Sequence, residues 1–288
     1  MSFSQLSNGL ADAVASVAPS LYGLIGRRRS GTAVSVGENR AITAAHLLGK
    51  ATGTLALPDG GTTEARVVGV SPALDLALLE VDTALPALSW SDTLRVGQLV
   101  VPVGFGPRAS LGLVARLGGP WRTPPGAEVD RWIEVDGTLP AGFSGGPLVG
   151  PDGVVGVNTH RLVRGGTTLS AATVQATIAR LEAHGTVEPG FLGIGAATAT
   201  LTKGQAAAAS QDEALLVVAV EPGSPAEGAL TVGDIVLRVD GTEVRGVRTL
   251  RGALTGLGAG HTATLDVLVG DTVESRSVTL GARPGHVD

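Results

Sequence analysis

Hydrophobic residues follow two different spacings in the first part of the chain. The first is a run of apolar residues at the spacing of one helix face, which Pro19 ends: Leu6, Leu10, Val14 and Val17. From about residue 21 the pattern changes to brief apolar or alternating runs, such as TAVSVG, RAITAA and EARVVGV, separated by Gly, Pro, Asp or Ser. Short runs rich in β-branched residues predict an all-β barrel or sandwich after a short N-terminal helix.

The spacing changes again near residue 171. The segment AATVQATIARLEAH at 171–184 predicts a helix with Val174, Ile178 and Leu181 on one face, and GTVEPG then breaks it. Beyond this break, LLVVAV, DIVLRVD, TATLDVLV and ESRSVTLG predict strands, with a helix over 248–257. We therefore expect three parts: an N-terminal helical segment at 1–20, a strand-rich domain at 21–186 and a small α+β domain at 187–288.

Composition supports a strand-rich, folded chain and excludes several function classes. The 288 residues include 43 glycines but only 3% aromatic residues, a balance that favours short strands and tight turns over a helical bundle. A net charge of -5 argues against a nucleic-acid partner. The chain has no cysteine, which excludes disulfides, thiol catalysis and cysteine-based zinc sites.

The sequence as written carries no targeting or membrane-spanning segment. No stretch is long and apolar enough to span a bilayer, and the N-terminus lacks a charged region followed by an apolar one. We therefore expect a soluble, cytoplasmic protein. A leader removed beforehand would leave the same sequence, so an extracytoplasmic location stays the alternative.

One serine lies in a stretch that suits a nucleophile. GTLPAGFSGGPLVG at 137–150 surrounds Ser144 with glycines, which allow tight turns that present backbone N–H groups. GFSGG also fits the nucleophile pattern of α/β-hydrolases, in which a helix follows the serine and the partners come later as Asp and His. Here GPLVGPDGVVGVN predicts two strands around a turn, which makes that alternative doubtful.

The partners that Ser144 needs stand upstream. His46 follows an apolar strand in RAITAAHLLG, and Asp75 precedes another in LDLALLEV. The order His46, Asp75, Ser144 is that of chymotrypsin-type proteases. Taken alone, each residue has a structural interpretation: a histidine at a core edge, an aspartate capping a turn, and a turn serine. Their occurrence in this order favours catalysis.

The remaining histidines do not indicate a metal site. They show no metal-ligand spacing and are interpreted as surface or structural residues: His160, His184, His261 and His286. We expect neither a metal nor any other cofactor.

Four motifs together resemble the HtrA/DegP group of trypsin-fold serine proteases: TAAH, LDLALLEV, LRVGQLVVPVGFG and GFSGGPLVGPDGVVGVNT. The resemblance implies a mainly β fold, with a trypsin-like double β-barrel followed by a PDZ domain. It implies that His46 is the general base, Asp75 its orienting carboxylate and Ser144 the nucleophile, with the N–H groups of Gly142 and Ser144 as the oxyanion hole. It also implies an ATP-independent endopeptidase for unfolded or partly folded polypeptides, assembled as a homotrimer through residues 3–25.

Phe143 departs from the family pattern, which has a small polar residue between Gly142 and the nucleophile. A bulky aromatic side chain there either lines a substrate pocket or holds the loop inactive. The alternative function is therefore a proteolytically silent chaperone or peptide-binding scaffold with a collapsed oxyanion hole. No acidic residue stands just before Ser144 to pair with a basic substrate side chain. We expect a preference for small or medium aliphatic residues at the cleavage site.

The tail domain has its own resemblance. FLGIG at 191–195 and VEPGSPAEGALTVGDIVLRVDGTEV at 220–244 are similar to PDZ domains of bacterial proteases. The resemblance implies that a loop of four residues binds a peptide's C-terminal carboxylate through backbone N–H groups: Phe191, Leu192, Gly193 and Ile194. The peptide's last side chain would contact Leu250 and Leu254. The structural alternative is that FLGIG begins an ordinary strand and these leucines belong to the core.

Overall fold

A computed structural model describes residues 2–25, 31–48, 53–137, 139–186 and 190–282. The chain divides into two compact units. The first comprises Met1–Pro124 and Glu128–Val187, and the second comprises Pro125–Ala127 and Glu188–Asp288.

The first unit is built mostly of strands between two helices. Its helices are α1 (Phe3–Val17) and α2 (Ala171–His184), and short 3-10 turns cover Ala18–Ser20 and Ala45–Leu47. Its strands in chain order are β1 (Leu21–Leu24), β2 (Gly31–Gly37), β3 (Arg40–Ala44), β4 (Gly53–Ala56), β5 (Thr62–Ser71), β6 (Leu76–Val81), β7 (Leu99–Gly104), β8 (Arg108–Ala109), β9 (Gly112–Gly118), β10 (Trp121–Arg122), β11 (Glu128–Val129), β12 (Trp132–Val135), β13 (Pro147–Gly150), β14 (Gly153–Thr159) and β15 (Thr167–Ser170).

Two sheets form the body of this unit. The first is a closed barrel in the order β1-β2-β3-β6-β5-β4, filled by side chains such as Tyr22, Ala41 and Leu79. The second runs β12-β9-β7-β13-β14-β15, with β8 paired to β7, around a core that includes Val114 and Leu148. The predicted mainly β organisation is confirmed. Strands β13 and β14 follow Ser144 where an α/β-hydrolase has a helix, so that alternative is wrong.

The two predicted helices of this unit have identifiable starts. At α1, the Ser2 side chain accepts a hydrogen bond from Gln5 N while the Gln5 side chain accepts one from Ser2 N, a reciprocal cap. At α2, the Ser170 side chain caps the helix by accepting from Thr173 N. These caps satisfy N–H groups that the first helical turn leaves without partners.

The second unit is a smaller α+β structure. It contains β16 (Ile194–Thr200), α3 (Lys203–Ala209), β17 (Glu213–Val220), β18 (Ile235–Val239), β19 (Thr242–Glu243), α4 (Val247–Leu257), β20 (Thr262–Val269) and β21 (Thr272–Thr279). The sheet runs β16-β17-β18-β20-β21, with β19 paired to β18, and β16 lies at its edge. Across the described parts of both units, no helix has the length and apolar character needed to cross a bilayer.

Candidate active site

The site begins where β3 ends. Ala45–Leu47 form a 3-10 turn directly after β3, and two of its backbone N–H groups bond to Asp75. Ala45 N donates to the carbonyl oxygen of Asp75 at 2.9 Å, and His46 N donates to its side-chain Oδ1 at 2.9 Å. His46 Nδ1 lies 2.7 Å from Asp75 Oδ2. The side chains are 9% and 2% exposed, so the pair is largely shielded from water.

This contact fixes the tautomer of the imidazole. A carboxylate oxygen only accepts hydrogen bonds, so the nitrogen facing it carries the hydrogen. In neutral His46, Nδ1 is therefore the donor and Nε2 keeps its lone pair. That is the form in which a histidine can take a proton from a hydroxyl.

Asp75 is held in place from three directions. It has a positive φ of 53°, a conformation that aspartate adopts more readily than most residues, and its N–H donates to Pro72 O at 3.2 Å. The hydroxyl of Thr159, at the end of β14, donates to the same Oδ2 that His46 contacts. Sequence reasoning missed Thr159, since nothing in its neighbourhood along the chain indicates a partner 84 residues away.

Two successive turns shape the loop that carries Ser144. Phe143 N donates to Pro140 O at 3.3 Å, with φ at 87° for Gly142; Gly146 N then donates to Phe143 O at 3.0 Å, with φ at 79° for Gly145. Positive φ at the third residue of such a turn favours glycine. The loop also packs tightly, because a Cβ on Gly145 would lie 2.0 Å from Thr32 O and 3.0 Å from Ala44 N. Ser144 is thus held beside the end of β3, near the turn that carries His46.

The Ser144 hydroxyl has a partner that the sequence did not predict. Its Oγ lies 3.0 Å from His160 Nδ1 and accepts a hydrogen bond from His160 N at 3.2 Å. Within the described residues, no hydrogen bond joins this hydroxyl to His46. His160, interpreted from the sequence as a surface or structural residue, is half-buried and contacts the candidate nucleophile directly. The spacing of the histidines along the chain carries no signal for this contact.

The other histidines interpreted as surface or structural residues have no described contact with Ser144 or with one another. His184 is exposed at the end of α2, and exposed His261 contacts Asp240 through an Nε2–Oδ2 distance of 2.7 Å. His286 lies outside the described residues. Over residues 2–25, 31–48, 53–137, 139–186 and 190–282, no group of His, Cys, Asp and Glu side chains could hold a metal ion.

Phe143 anchors the loop and does not face solvent. It is 3% exposed, and the Arg108 guanidinium carbon lies 5.5 Å from the centre of its ring. The ring packs against the backbone at Gly104, where a Cβ would approach it to 3.6 Å. On either side of Phe143, the N–H groups of Gly142 and Ser144 donate to no acceptor among the described residues. They are therefore free to meet a substrate oxygen, and the oxyanion hole stays a prediction.

The FLGIG loop of the second unit also contains backbone N–H groups that no described residue accepts. Phe191 and Gly281 exchange backbone hydrogen bonds of 2.8 and 3.0 Å, and Gly193 O accepts from Glu221 N at 2.8 Å. The N–H groups of Leu192 and Gly193 have no acceptor in the described part of the chain. Ile194 then begins edge strand β16. Leu250 and Leu254 of α4 are 6% and 8% exposed and belong to the core of this unit, so their contact with a peptide stays a prediction.

Comparisons with known proteins match two domain families to this chain. Residues 31–157 match the family of trypsin-like peptidase domains, and residues 190–280 match the PDZ domain family. A probable periplasmic serine endoprotease DegP-like of Pseudomonas fulva is 31% identical over 79% of this chain and 50% of its own length. A protein of the same description from Bartonella henselae is 28% identical over 84% of this chain and 51% of its own length. The chain spans about half the length of the curated relatives it matches.

A solved structure extends the likeness to nearly the whole chain. An HtrA-type protease, AlgW, described with a tripeptide, is 26% identical and superposes with a TM-score of 0.68 over 96% of this chain and 98% of its own. The expected fold, a trypsin-like domain followed by a PDZ domain, is thereby confirmed.

Proposed function

We propose that this chain is an ATP-independent serine endopeptidase, because it belongs to the HtrA/DegP-like group of trypsin-fold serine proteases with a PDZ domain. Its substrates are unfolded or partly folded polypeptides. The observation that carries the proposal is the shielded contact of 2.7 Å between His46 Nδ1 and Asp75 Oδ2, which leaves His46 Nε2 as a base beside the Ser144 loop.

The proposed reaction proceeds in two halves. Ser144 Oγ attacks the carbonyl carbon of the peptide while its proton passes to His46 Nε2, and the N–H groups of Gly142 and Ser144 stabilise the oxyanion. The C–N bond then breaks, His46 gives the proton to the leaving amine, and an acyl-enzyme remains. In the second half, water attacks the acyl carbon while His46 Nε2 takes its proton. The ester bond to Ser144 then breaks, His46 returns the proton to Ser144 Oγ, and the acid product leaves.

The proteolytically silent scaffold is the second candidate. It is supported by the contact of Ser144 Oγ with His160 Nδ1 at 3.0 Å, a partner other than His46. Against it stands the form of the loop, in which Phe143 is buried and the Gly142 and Ser144 N–H groups have no acceptor among the described residues. An oxyanion hole requires donors that no protein group occupies, so the geometry favours the enzyme.

The second unit is proposed to bind C-terminal peptides. The Leu192 and Gly193 N–H groups are available to a carboxylate, and β16 lies at the sheet edge, where an extended peptide can add as a further strand. Leu250 and Leu254 would contribute to the site from α4, beneath the peptide's last side chain.

The oligomeric state and the cellular location are proposed from those of the family. We propose a homotrimer formed through residues 3–25, which is supported by apolar side chains that the unit leaves exposed there, Phe3 at 84% and Ile25 at 63%. The relatives are described as periplasmic, which favours the extracytoplasmic alternative over the cytoplasmic one.

Digestion of casein with mapping of the products tests the activity and the cleavage preference together. We expect peptides that end in small or medium aliphatic residues, and no such products from Ser144→Ala. Rapid cleavage after arginine would contradict the proposed preference. Intact casein with a folded wild-type protein would favour the silent scaffold.

A further inference from the structure

The end of β14 reaches the site with two consecutive side chains. Thr159 donates its hydroxyl to Asp75 Oδ2, and His160, the next residue, contacts the Ser144 hydroxyl through Nδ1 at 3.0 Å. One strand end thus contacts both the orienting carboxylate and the nucleophile. Thr159 is itself held, because its Oγ1 accepts from Arg161 N at 3.1 Å.

The second contact of His160 decides which way the hydrogen bond to Ser144 runs. His160 Nε2 lies 2.5 Å from the carbonyl oxygen of Leu139, which can only accept. Nε2 of neutral His160 therefore carries the hydrogen, and Nδ1 is the acceptor. The Ser144 hydroxyl hydrogen then points at His160 Nδ1, whereas attack on a substrate requires it to point at His46 Nε2.

The backbone strengthens this arrangement. His160 N donates to Ser144 Oγ at 3.2 Å, so the main chain and the side chain of one residue engage the same hydroxyl. The neighbouring Asn158 holds the loop itself: its carbonyl accepts from Gly145 N at 2.8 Å, and its N–H donates to Gly146 O at 2.9 Å. The position of His160 relative to Ser144 is therefore built into the pairing of β14 with the nucleophile loop.

We propose that His160 is a positioning residue that restrains the nucleophile by accepting the Ser144 hydroxyl hydrogen in competition with His46. The proposal rests on the proposed serine endopeptidase function. Each attack must first break the bond to His160, which lowers the turnover without changing how the substrate binds. Because a single neutral hydrogen bond has a net strength of about 0.5–1.5 kcal/mol, its removal should speed attack by about two- to twelve-fold.

The test compares the rate at which a fluorophosphonate probe labels Ser144 in the full chain and in three variants. His160→Ala removes the competing acceptor and should label about two- to twelve-fold faster than wild type. His160→Asn keeps an acceptor oxygen near the position of Nδ1 and should return towards the wild-type rate. His184→Ala removes an exposed histidine of the same unit and serves as the matched control, with an unchanged rate.

A peptide substrate separates positioning from damage to the fold. His160→Ala should raise kcat by the same factor with KM unchanged, whereas general loosening of the site would change KM. An unchanged or slower rate in folded His160→Ala overturns the proposal, and so does an equal gain in His160→Asn. If neither wild type nor His160→Ala is labelled at Ser144, the proposed function fails as well; normal wild-type labelling with no gain in His160→Ala refutes the restraint alone.

A measurement on the unchanged protein covers the case in which His160→Ala does not fold. Nitrogen NMR of the imidazoles distinguishes the two neutral tautomers. We expect hydrogen on Nε2 of His160. Hydrogen on Nδ1 would mean that His160 donates to Ser144 and leaves the hydroxyl hydrogen free, which overturns the proposal.

Discussion

Neither the backbone conformation of Gly193 nor the space around it accommodates a side chain. Its φ is 75°, and a Cβ on it would lie 2.2 Å from the Cβ of Ser224. The neighbouring turn residue Gly223 has almost the same φ, 72°, but a Cβ there would meet no atom within 4 Å. The two glycines therefore separate the effect of crowding in the FLGIG loop from the effect of backbone strain alone.

Gly193→Ala should abolish binding of a peptide with a free C-terminal carboxylate, because the clash displaces the N–H groups proposed to hold it. Gly223→Ala, which carries the same kind of strain, should keep most of the affinity. Fluorescence anisotropy with a labelled peptide measures both, and an amidated peptide serves as the ligand control. Equal affinity of wild type and Gly193→Ala would remove this loop from the binding site.

Chain order indicated His46, Asp75 and Ser144, and the structure brings the first two into contact. That inference was possible because each of the three residues lies in a short motif that indicates a role without knowledge of the tertiary structure. The roles of Thr159 and His160 were not visible in this way. Each depends on how closely β14 approaches the other strands, and that distance is set by packing between segments far apart in the sequence.

At the level of elements, the start of α2 depends on an aspartate from another part of the chain. Asp130 Oδ1 accepts from the Thr173 hydroxyl at 2.5 Å and from the hydroxyl of Ser170, the helix cap. Burial by itself would raise the pKa of Asp130, but these hydroxyl bonds and nearby Arg131 outweigh it and hold the pKa below the ordinary value. The charged form of Asp130 is therefore the one that stabilises the fold.

Because the pKa of Asp130 is lowered in the folded protein, the stability of the first unit depends on pH. A lowered pKa in the folded state means that the contribution is complete above about pH 4, the usual aspartate value, and is lost as the pH falls through the lower folded value. Asp130→Asn should therefore destabilise the first unit by about 1–2 kcal/mol at pH 7, a figure reduced for the partial exposure of the carboxylate. The difference from wild type should shrink below pH 4.

Urea unfolding at pH 7 and pH 3 measures this difference. Asp152→Asn, an exposed position in the turn between β13 and β14, is the control and should show little effect at either pH. A destabilisation by Asp130→Asn that is equally large at both pH values would mean that the carboxylate charge is not what stabilises the helix start.

The spacing of hydrophobic residues along the chain predicted most of the helices and strands. The predicted helix at 171–184 has the bounds of α2, and the helix expected over 248–257 is α4, Val247–Leu257. Alternating and β-branched runs indicated strands such as β2, β5 and β20. The pairing order was less accessible, because a barrel order such as β3-β6-β5 depends on contacts across the sheet that no single run encodes.

At the scale of the whole molecule, each unit has a hydrophobic core of its own, and each proposed activity belongs to one unit. Hydrolysis is assigned to the unit with the His46–Asp75 pair, and peptide recognition to the unit with the FLGIG loop. The motifs on which each assignment rests are confined to one part of the sequence.

Labelling of the full chain by a fluorophosphonate, read out by peptide mass spectrometry, is the most direct test of the claim that His46 activates Ser144. We expect a single modified residue, Ser144, with labelling absent in Ser144→Ala and slowed by about 10⁴-fold or more in His46→Ala, both variants remaining folded. Labelling of folded His46→Ala at the wild-type rate would contradict it.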